Sequence, residues 1–408
     1  MASITDESIE NIRHQVNLLD VVEPYVSLKR SGGSYKGLSP FNQEKTPSFY
    51  VHPDRGFFKC FSSQHGGDLF TFIMLKENLT FPEAVELIAD RFNLELEYKN
   101  NKDHAEQVQG SSIRKQLLDI HEVAMEYYHD CFLGDHQEAE YIRRYWQEER
   151  GFSLELAKEF RIGYSPGKDQ TLLKKISQRG FDPEAILQSG LFYGKQIERL
   201  MPAFRGRLMI PIRDIQGRVI AFTARQTEYT PKDHDIEKSK YINSRENLIF
   251  RKKQMLFNLD RARTGVQRHK RFLLVEGQLD ALRCYEHGLD HAVAPQGTGF
   301  TDEQLSLMKR YASQLDCLLD GDRAGQDTGI RILSMALKND VDIRILSLEP
   351  GQDPDDVLRS QGRSAFEALI QRADSPISFA VKYYLPGGYQ SSPSEKKSAL
   401  PPIYKLIH

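Results

Sequence analysis

The stretch from Arg271 to Asp355 constrains the fold more than any other, because three apolar runs within it each lead into acids. Phe272-Leu273-Leu274-Val275 ends on Glu276 and Gly277. Leu315 to Leu319, with Asp316 and Cys317 inside it, ends on Asp320-Gly321-Asp322. Ile343-Arg344-Ile345-Leu346 runs on to a loop holding Asp353-Pro354-Asp355. Helix-like segments, Asp280 to His287 and Gln326 to Leu337, lie between them. Strands alternating with helices specify a parallel sheet whose ligand site lies at the carboxyl ends of the strands. Parallel neighbours are only about 4.8 Å apart, which lets Glu276 and the Asp320/Asp322 pair reach one point. Gathered carboxylates repel one another, and a hard divalent cation is the usual reason to assemble them. Asp353, Asp355 and, behind them, Asp280 are candidates for a second metal. Asp355-Asp356 reads equally well as the start of a helix at Val357.

At 408 residues the chain is too long for a single core. Its formal net charge of −2 conceals a local asymmetry. Arg251 to Arg271 holds eight Lys or Arg against the single acid Asp260, immediately before the acidic stretch. A basic approach beside an acidic metal cluster suits a polyanionic substrate held near Mg²⁺. The four cysteines are scattered without paired spacing, as expected of reduced thiols in a cytoplasm. The amino terminus has no signal-peptide pattern, and no apolar run approaches ~18 residues, so no membrane partner is expected.

Along the chain, Asp6 to Pro24 has helical periodicity, and Val26 to Phe61 breaks into short aromatic strands split by Gly and Pro. Asp68 to Met74 and Phe81 to Phe92 are again helical. Lys99 to Ser112 is almost wholly polar and reads as a linker. Ile113 to Arg144 is helical, Ser153 is an N-cap for Phe152 to Phe160, and Leu208–Ile212 with Arg218–Thr223 form a hairpin around Asp214-Ile215-Gln216-Gly217. The expected divisions are 1–98, the linker 99–112, 113–268, 269–352 and a helical segment 353–408.

These residues resemble, in order, the bacterial replicative DNA primases of the DnaG type. Tyr35-Lys36-Gly37-Leu38 before Pro40-Phe41, Glu44-Lys45-Thr46-Pro47-Ser48-Phe49, Lys59-Cys60-Phe61 and Gly66-Gly67-Asp68 resemble that family's zinc ribbon. Ile210 to Asp214, Gly217 to Ile220 and Lys240-Tyr241-Ile242-Asn243-Ser244 look like its RNA-polymerase core. Val275-Glu276-Gly277 and Asp320-Gly321-Asp322-Arg323-Ala324-Gly325 match the Toprim fold shared with topoisomerases. The resemblance implies an α+β multidomain protein: a small zinc-ribbon-like domain, a mixed α/β core with a Rossmann-like parallel Toprim sheet, and a truncated C-terminal helical segment. It implies synthesis of short RNA primers on single-stranded DNA from NTPs at the replication fork. Glu276, Asp320 and Asp322 would be catalytic and would hold Mg²⁺ or Mn²⁺. Arg150, Arg225, Lys240, Asn243 and Lys252 would face template and nucleotide, with Arg205, Arg207, Arg213 and Arg218 as further phosphate contacts. The family also docks on the replicative helicase through a domain beyond the position of His408; the chain is then a fragment, or meets its helicase differently.

One departure stands out. The family's zinc ligands are Cys, His, Cys and Cys, and here those positions read Ser39, Asn42, Cys60 and Ser63. Structural zinc selects sulfur and imidazole, so a degenerate ribbon without zinc is expected, stabilised by Tyr35, Phe41, Phe49, Phe57, Phe58 and Phe61. His52 and His65 offer the only improvised ligands nearby. Two further readings remain open: a Toprim nuclease using the same acids, and a weakly catalytic paralogue that binds single-stranded DNA.

Overall fold

The computed structural model describes residues 4–407, apart from positions 43, 78, 80, 93, 95, 98–100, 168–169, 233–237 and 298. The chain divides into two compact units, Met1–Ser112 and Ile113–His408.

In the first unit, helix α1 (Asp6–Gln15) begins where the Thr5 hydroxyl accepts a hydrogen bond from Ser8 N at 3.2 Å. Helix α2 (Leu18–Val22) begins likewise at Asn17. An antiparallel sheet follows in simple order: β1 (Lys29–Ser31), β2 (Ser34–Gly37), β3 (Phe49–His52), β4 (Phe57–Cys60) and β5 (Gly66–Gly67). Gly32 makes the β1–β2 turn at φ +64, a conformation that favours glycine. Helices α3 (Leu69–Glu77) and α4 (Phe81–Arg91) close the unit. Its core is aromatic. Phe49, Phe58 and Phe72 are fully buried, with centroids 5.5 to 5.9 Å apart, and Phe41 packs beside them. Phe57 and Phe61, expected in that core, are instead exposed at 36% and 58%. Strand alternation explains Phe57, which points to the face opposite Phe58. Phe61 lies just past the strand and rests edge-on against Tyr50.

The expected linker takes a different form. Lys99 and Asn100 lie outside the described residues, and from Asn101 the backbone is helical as α5 (Asn101–Leu133). Polar residues without proline keep helix propensity, and the helix carries on into the apolar stripe from Ile113.

In the second unit, α6 (Gln137–Arg144) runs into one π-helical turn, Tyr145–Glu149, that delivers Arg150. Ser153 caps α7 (Leu154–Glu159), as its position predicts. A mostly buried antiparallel sheet has the order β11-β10-β9-β6, from β6 (Gly163–Ser165), β9 (Arg207–Arg213), β10 (Val219–Gln226) and β11 (Tyr241–Asn243). Helices α8 (Thr171–Gln178) and α9 (Pro183–Gln188) and the small pair β7 (Phe192–Tyr193) and β8 (Met201–Pro202) fill the β6–β9 connection. The β9–β10 hairpin turns where the Asp214 carboxylate accepts from Gln216 N and Arg218 N.

The second sheet has the order β12-β14-β13-β15-β16, with β12 (Leu256–Phe257) antiparallel at one edge. The others are β13 (Phe272–Val275), β14 (Ala292–Pro295), β15 (Gln314–Leu318) and β16 (Asp342–Leu346), all parallel. The crossovers are α10 (Leu259–His269) before β13, then α11 (Gln278–Glu286), α12 (Asp302–Lys309) and α13 (Arg323–Lys338). Helices α14 (Pro354–Gln361), α15 (Arg363–Gln371), α16 (Pro376–Tyr384) and α17 (Pro393–Ile407) follow. β13 pairs directly with β15, Val275 against Leu318, as the three apolar runs predict. Asp316, fully buried on β15, is held by Arg271 at 2.9 Å and Arg344 at 2.7 Å.

Phe58→Ala should cost the first unit about 3–5 kcal/mol, the usual range for a deleted core aromatic. Hydrogen exchange on the full chain should then show lost protection in β3 and β4 while β13 to β16 stay protected. Unchanged β3 protection would contradict the aromatic core.

Candidate active site

The acids of the parallel sheet stand where the apolar runs end. Glu276 follows β13, and its Oε1 accepts from Asp320 N at 3.3 Å, which brings the two strand ends together. A side chain on Gly325 would collide with the Asp320 carbonyl, at 2.2 Å, and approach Glu276 Oε1, at 3.0 Å. Only glycine lets α13 start so near both acids. Asp322 caps α13, its Oδ1 accepting from Gly325 N at 2.8 Å. Asp280 sits behind, with Oδ2 accepting from Gly277 N at 2.9 Å.

Their electrostatics mark the cluster. Burial, then the carboxylates of Asp320, Asp353 and Asp355, push Asp280 up to about 8. Burial, then Glu276, Asp353 and Asp322, push Asp320 up to about 6. Burial also raises Glu276, with the Asp322 charge adding to it. Among the described residues, Glu276, Asp320 and Asp322 form no salt bridge. Glu276 and Asp320, raised by burial and then by neighbouring carboxylates, with the Arg331 charge opposing at Glu276, fit a site for a divalent cation. They are not drawn into one coordination-sized set: the trio of ligand atoms within 4.8 Å found among the described residues lies elsewhere, at His269, Asp290 and His291. A cavity of about 150 Å³ beside them is lined by Asp320, Gly321, Gly325, Lys382 and Tyr383.

The outer acids divide differently. Asp353 caps α14 by accepting from Asp356 N at 2.7 Å. Asp355 is buried and taken up by Arg283, whose Nε donates to Oδ1 at 2.6 Å, with Arg150 Nη1 at 3.7 Å from Oδ2. The structure therefore uses Asp355 as a buried ion-pair partner, in place of the second-metal role expected for it. Arg283, fully buried over the Phe152 ring at 3.9 Å, also donates to the carbonyls of Gly151 and Arg150 and to Glu286. Nothing in the local sequence singled it out, because its partners other than Glu286 lie 72 and more than 130 residues away.

Of the predicted basic and polar residues, Arg225 and Asn243 lie on β10 and the edge strand β11, while Arg150 follows the π-helical turn and Lys252 follows β11 in the chain. Arg225 on β10 lies over the rings of Tyr145, at 4.6 Å, and Tyr241, at 5.9 Å. Its Nε, like that of Arg150, is buried without a hydrogen-bond partner. A cavity of about 230 Å³ opens there, lined by Tyr141, Tyr145, Glu149 and Arg225 among others. Lys240 is exposed just before β11. Asn243 Oδ1 accepts from Thr223 Oγ1 at 2.5 Å, and Thr223 Oγ1 in turn accepts from Gln278 Nε2 at 2.7 Å. Gln278 also donates to the buried Gln296 at 2.6 Å. Gly297 lies where a side chain would meet both Asn243 and Lys252, at 3.5 and 3.7 Å. Thus Asn243 and Lys252 converge, and a polar relay joins them to the loop of Glu276. Thr223, Gln278 and Gln296 were missed by sequence reasoning, since isolated Thr and Gln carry no spacing signal. Arg207, Arg213 and Arg218, offered as phosphate contacts, are instead committed inward: Arg207 to Ser239 O, Arg213 to Gly217 O, Arg218 to Asp214.

At the ribbon's ligand positions, Cys60 Sγ lies 3.1 Å from Ser39 Oγ and 3.4 Å from Ser62 Oγ. Ser39 Oγ accepts from Phe41 N and Asn42 N. Glu44 ties the loop, its carboxylate accepting from Ser39 N at 2.7 Å, Ser48 N at 2.9 Å and Ser48 Oγ at 2.6 Å. His52 is stacked on Phe57 and His65 lies edge-on to Phe41. One thiol among hydroxyls does not fit a metal that wants four sulfur or imidazole ligands.

Comparison with known proteins matches three family models: a CHC2 zinc finger over residues 4–104, the N-terminal domain of the DNA primase catalytic core over 127–263, and a Toprim-like domain over 273–358. The expectation of a degenerate ribbon domain is thereby corrected: the domain is recognised along its whole length, and the departure is confined to its ligand positions. The DNA primase of Listeria monocytogenes is 33% identical over 94% of this chain and 60% of its own. That of Enterococcus faecalis is 35% identical over 93% and 61%. The chain thus spans about 60% of the length of these relatives. The Aquifex aeolicus primase structure, comprising zinc-binding and RNA polymerase domains, superposes with a TM-score of 0.63 at 27% identity, covering 98% of this chain and 92% of that one. A DnaG primase catalytic domain bound to single-stranded DNA superposes with a TM-score of 0.60 at 31% identity, covering 72% and 92%. No helix among the described residues is long and apolar enough to cross a membrane.

The raised carboxyls have a testable cost. Asp320 titrates higher in the folded chain than in the unfolded one, so the native state keeps a proton that the unfolded chain has released. Its contribution to stability therefore falls as pH rises from about 4 through about 6. Asp320→Asn should raise the melting temperature of metal-free protein at pH 7.5 by roughly 2–4 °C, and leave it unchanged at pH 4. Mg²⁺ should stabilise the wild type far more than the variant. Equal melting curves for both proteins at pH 7.5 would contradict the repulsion.

Proposed function

This chain belongs to the DnaG-type bacterial DNA primase family, and we propose that it is the priming polymerase itself, joining NTPs into short RNA on single-stranded DNA in the cytoplasm. The observation that carries the proposal is the relay Asn243–Thr223–Gln278, which ties the basic sheet edge to the loop of Glu276. It supports reading the basic edge and the acid cluster as parts of one site.

In this reading Arg150, Arg225, Lys240 and Lys252 bind phosphates of template and incoming nucleotide, and Asn243 contacts a base edge or sugar. Arg225, close to the rings of Tyr145 and Tyr241, suits a phosphate. Glu276, Asp320 and Asp322 hold Mg²⁺ or Mn²⁺, with Asp353 and Asp280 close behind them. That metal supplies activation of the 3′-hydroxyl and neutralisation of the departing pyrophosphate. Asp280, protonated near neutral pH, adds no charge there and positions the Gly277 turn. The ribbon is a template-binding domain, and a replicative helicase is the expected partner. The ribbon does this without zinc, its loop held by Glu44, Ser39, Ser48 and Cys60.

Glu276→Gln should lower primer synthesis by at least about 10³-fold while template affinity changes less than twofold, read with labelled NTPs on a single-stranded template. Cleavage of that template in place of extension would identify a nuclease, and retention of full synthesis would overturn the assignment of Glu276. Elemental analysis of the purified chain should find no zinc that Cys60→Ser removes, and synthesis should persist in a zinc chelator with Mg²⁺ supplied.

A further inference from the structure

We propose a transition-metal site at the end of the parallel sheet opposite the acids, made by His269, Asp290 and His291. His269 closes α10, and the chain turns through Lys270, at φ +60, into β13. Asp290 and His291 lead into β14. Because β13 and β14 are parallel neighbours, with Leu273 N donating to His291 O at 3.1 Å, the segments that lead into them lie side by side. One ligand atom from each of the three residues lies within 4.8 Å of the other two.

Two buried atoms there have no hydrogen-bond partner: Asp290 Oδ1 and His291 Nδ1. His291 is only 4% exposed, so water does not stand in freely, and leaving such atoms unpaired is costly. His269 Nε2 stands 3.4 Å from Asp290 Oδ1, and the contact lacks hydrogen-bond geometry. That spacing equals the edge of a tetrahedron around a metal with bonds of about 2.0–2.2 Å. The plainer reading is a protonated His269 paired with Asp290. It would serve Oδ1 and involve two of the three residues, whereas one cation takes a ligand atom from each of the three. Arg268 donates to Asp290 Oδ2 at 3.1 Å, which fixes the carboxylate with Oδ1 facing the histidines. Two imidazoles with one carboxylate select Zn²⁺, Co²⁺ or Ni²⁺ over Mg²⁺, which prefers oxygen. A bound ion would staple the end of α10 to the start of β14, far from the acids.

Titration of the full chain with Co²⁺ in excess Mg²⁺ should give one equivalent with the visible absorption of nitrogen-ligated cobalt. His269→Ala and Asp290→Asn should each weaken it by more than about tenfold, with folding checked by circular dichroism. Should His269→Ala fail to fold, His269→Gln takes its place. Cys60→Ser and Asp320→Asn should keep the signal. Zn²⁺ should raise the melting temperature of the wild type and not of Asp290→Asn. Absence of the cobalt spectrum in the wild type, its survival in His269→Ala, or its loss in Cys60→Ser would each overturn the proposal.

Discussion

The catalytic half of this molecule depends on the register between β13 and β15. A slip of one residue would send each side chain of a strand to the opposite face of the sheet, into the wrong one of two cores, and part Glu276 from Asp320. Hydrophobic burial alone tolerates such slips poorly but does not forbid them. Asp316 adds the discrimination. Buried on β15, it is gripped from one side by Arg271, just before β13, and from the other by Arg344 on β16. A displaced strand would bury that charge unpaired, a far larger loss than the pair is worth in place. Burial still lifts the Asp316 carboxyl to about 6, against the opposing pull of Arg271.

From that register follows the tension at the site. The sheet delivers acids to one end, the nearness of α13 at Gly325 keeps them there, and burial, with repulsion added to it, raises Glu276 and Asp320. A site held in readiness for a cation costs stability while empty, and rigid scaffolding makes the cost bearable. The Asn243–Thr223–Gln278 relay extends the same rigidity to the basic edge.

Much of this was legible in the sequence, for a definite reason. Apolar runs followed by acids and separated by helical periods admit one arrangement, so Glu276, Asp320 and Asp322 could be placed from the residues alone. The resemblance supplied Asn243 and Lys252, and the structure shows them converging at Gly297. What escaped was set by partners distant in sequence. Asp355 looks like a metal ligand until Arg283, 72 residues earlier, is seen to hold it. Arg207, Arg213 and Arg218 look like phosphate contacts until their inward hydrogen bonds are seen. The stretch from Asn101 looked like a linker because composition reports polarity more faithfully than helicity.

Arg283 carries a consequence of its own. One guanidinium holds the carbonyls of Arg150 and Gly151, the carboxylate of Asp355 and that of Glu286, all from within α11. The turn that presents Arg150 and the helix that begins at Gly277 are thereby geared together. A displacement of the turn at Arg150 would therefore pull on α11, the helix that follows Glu276.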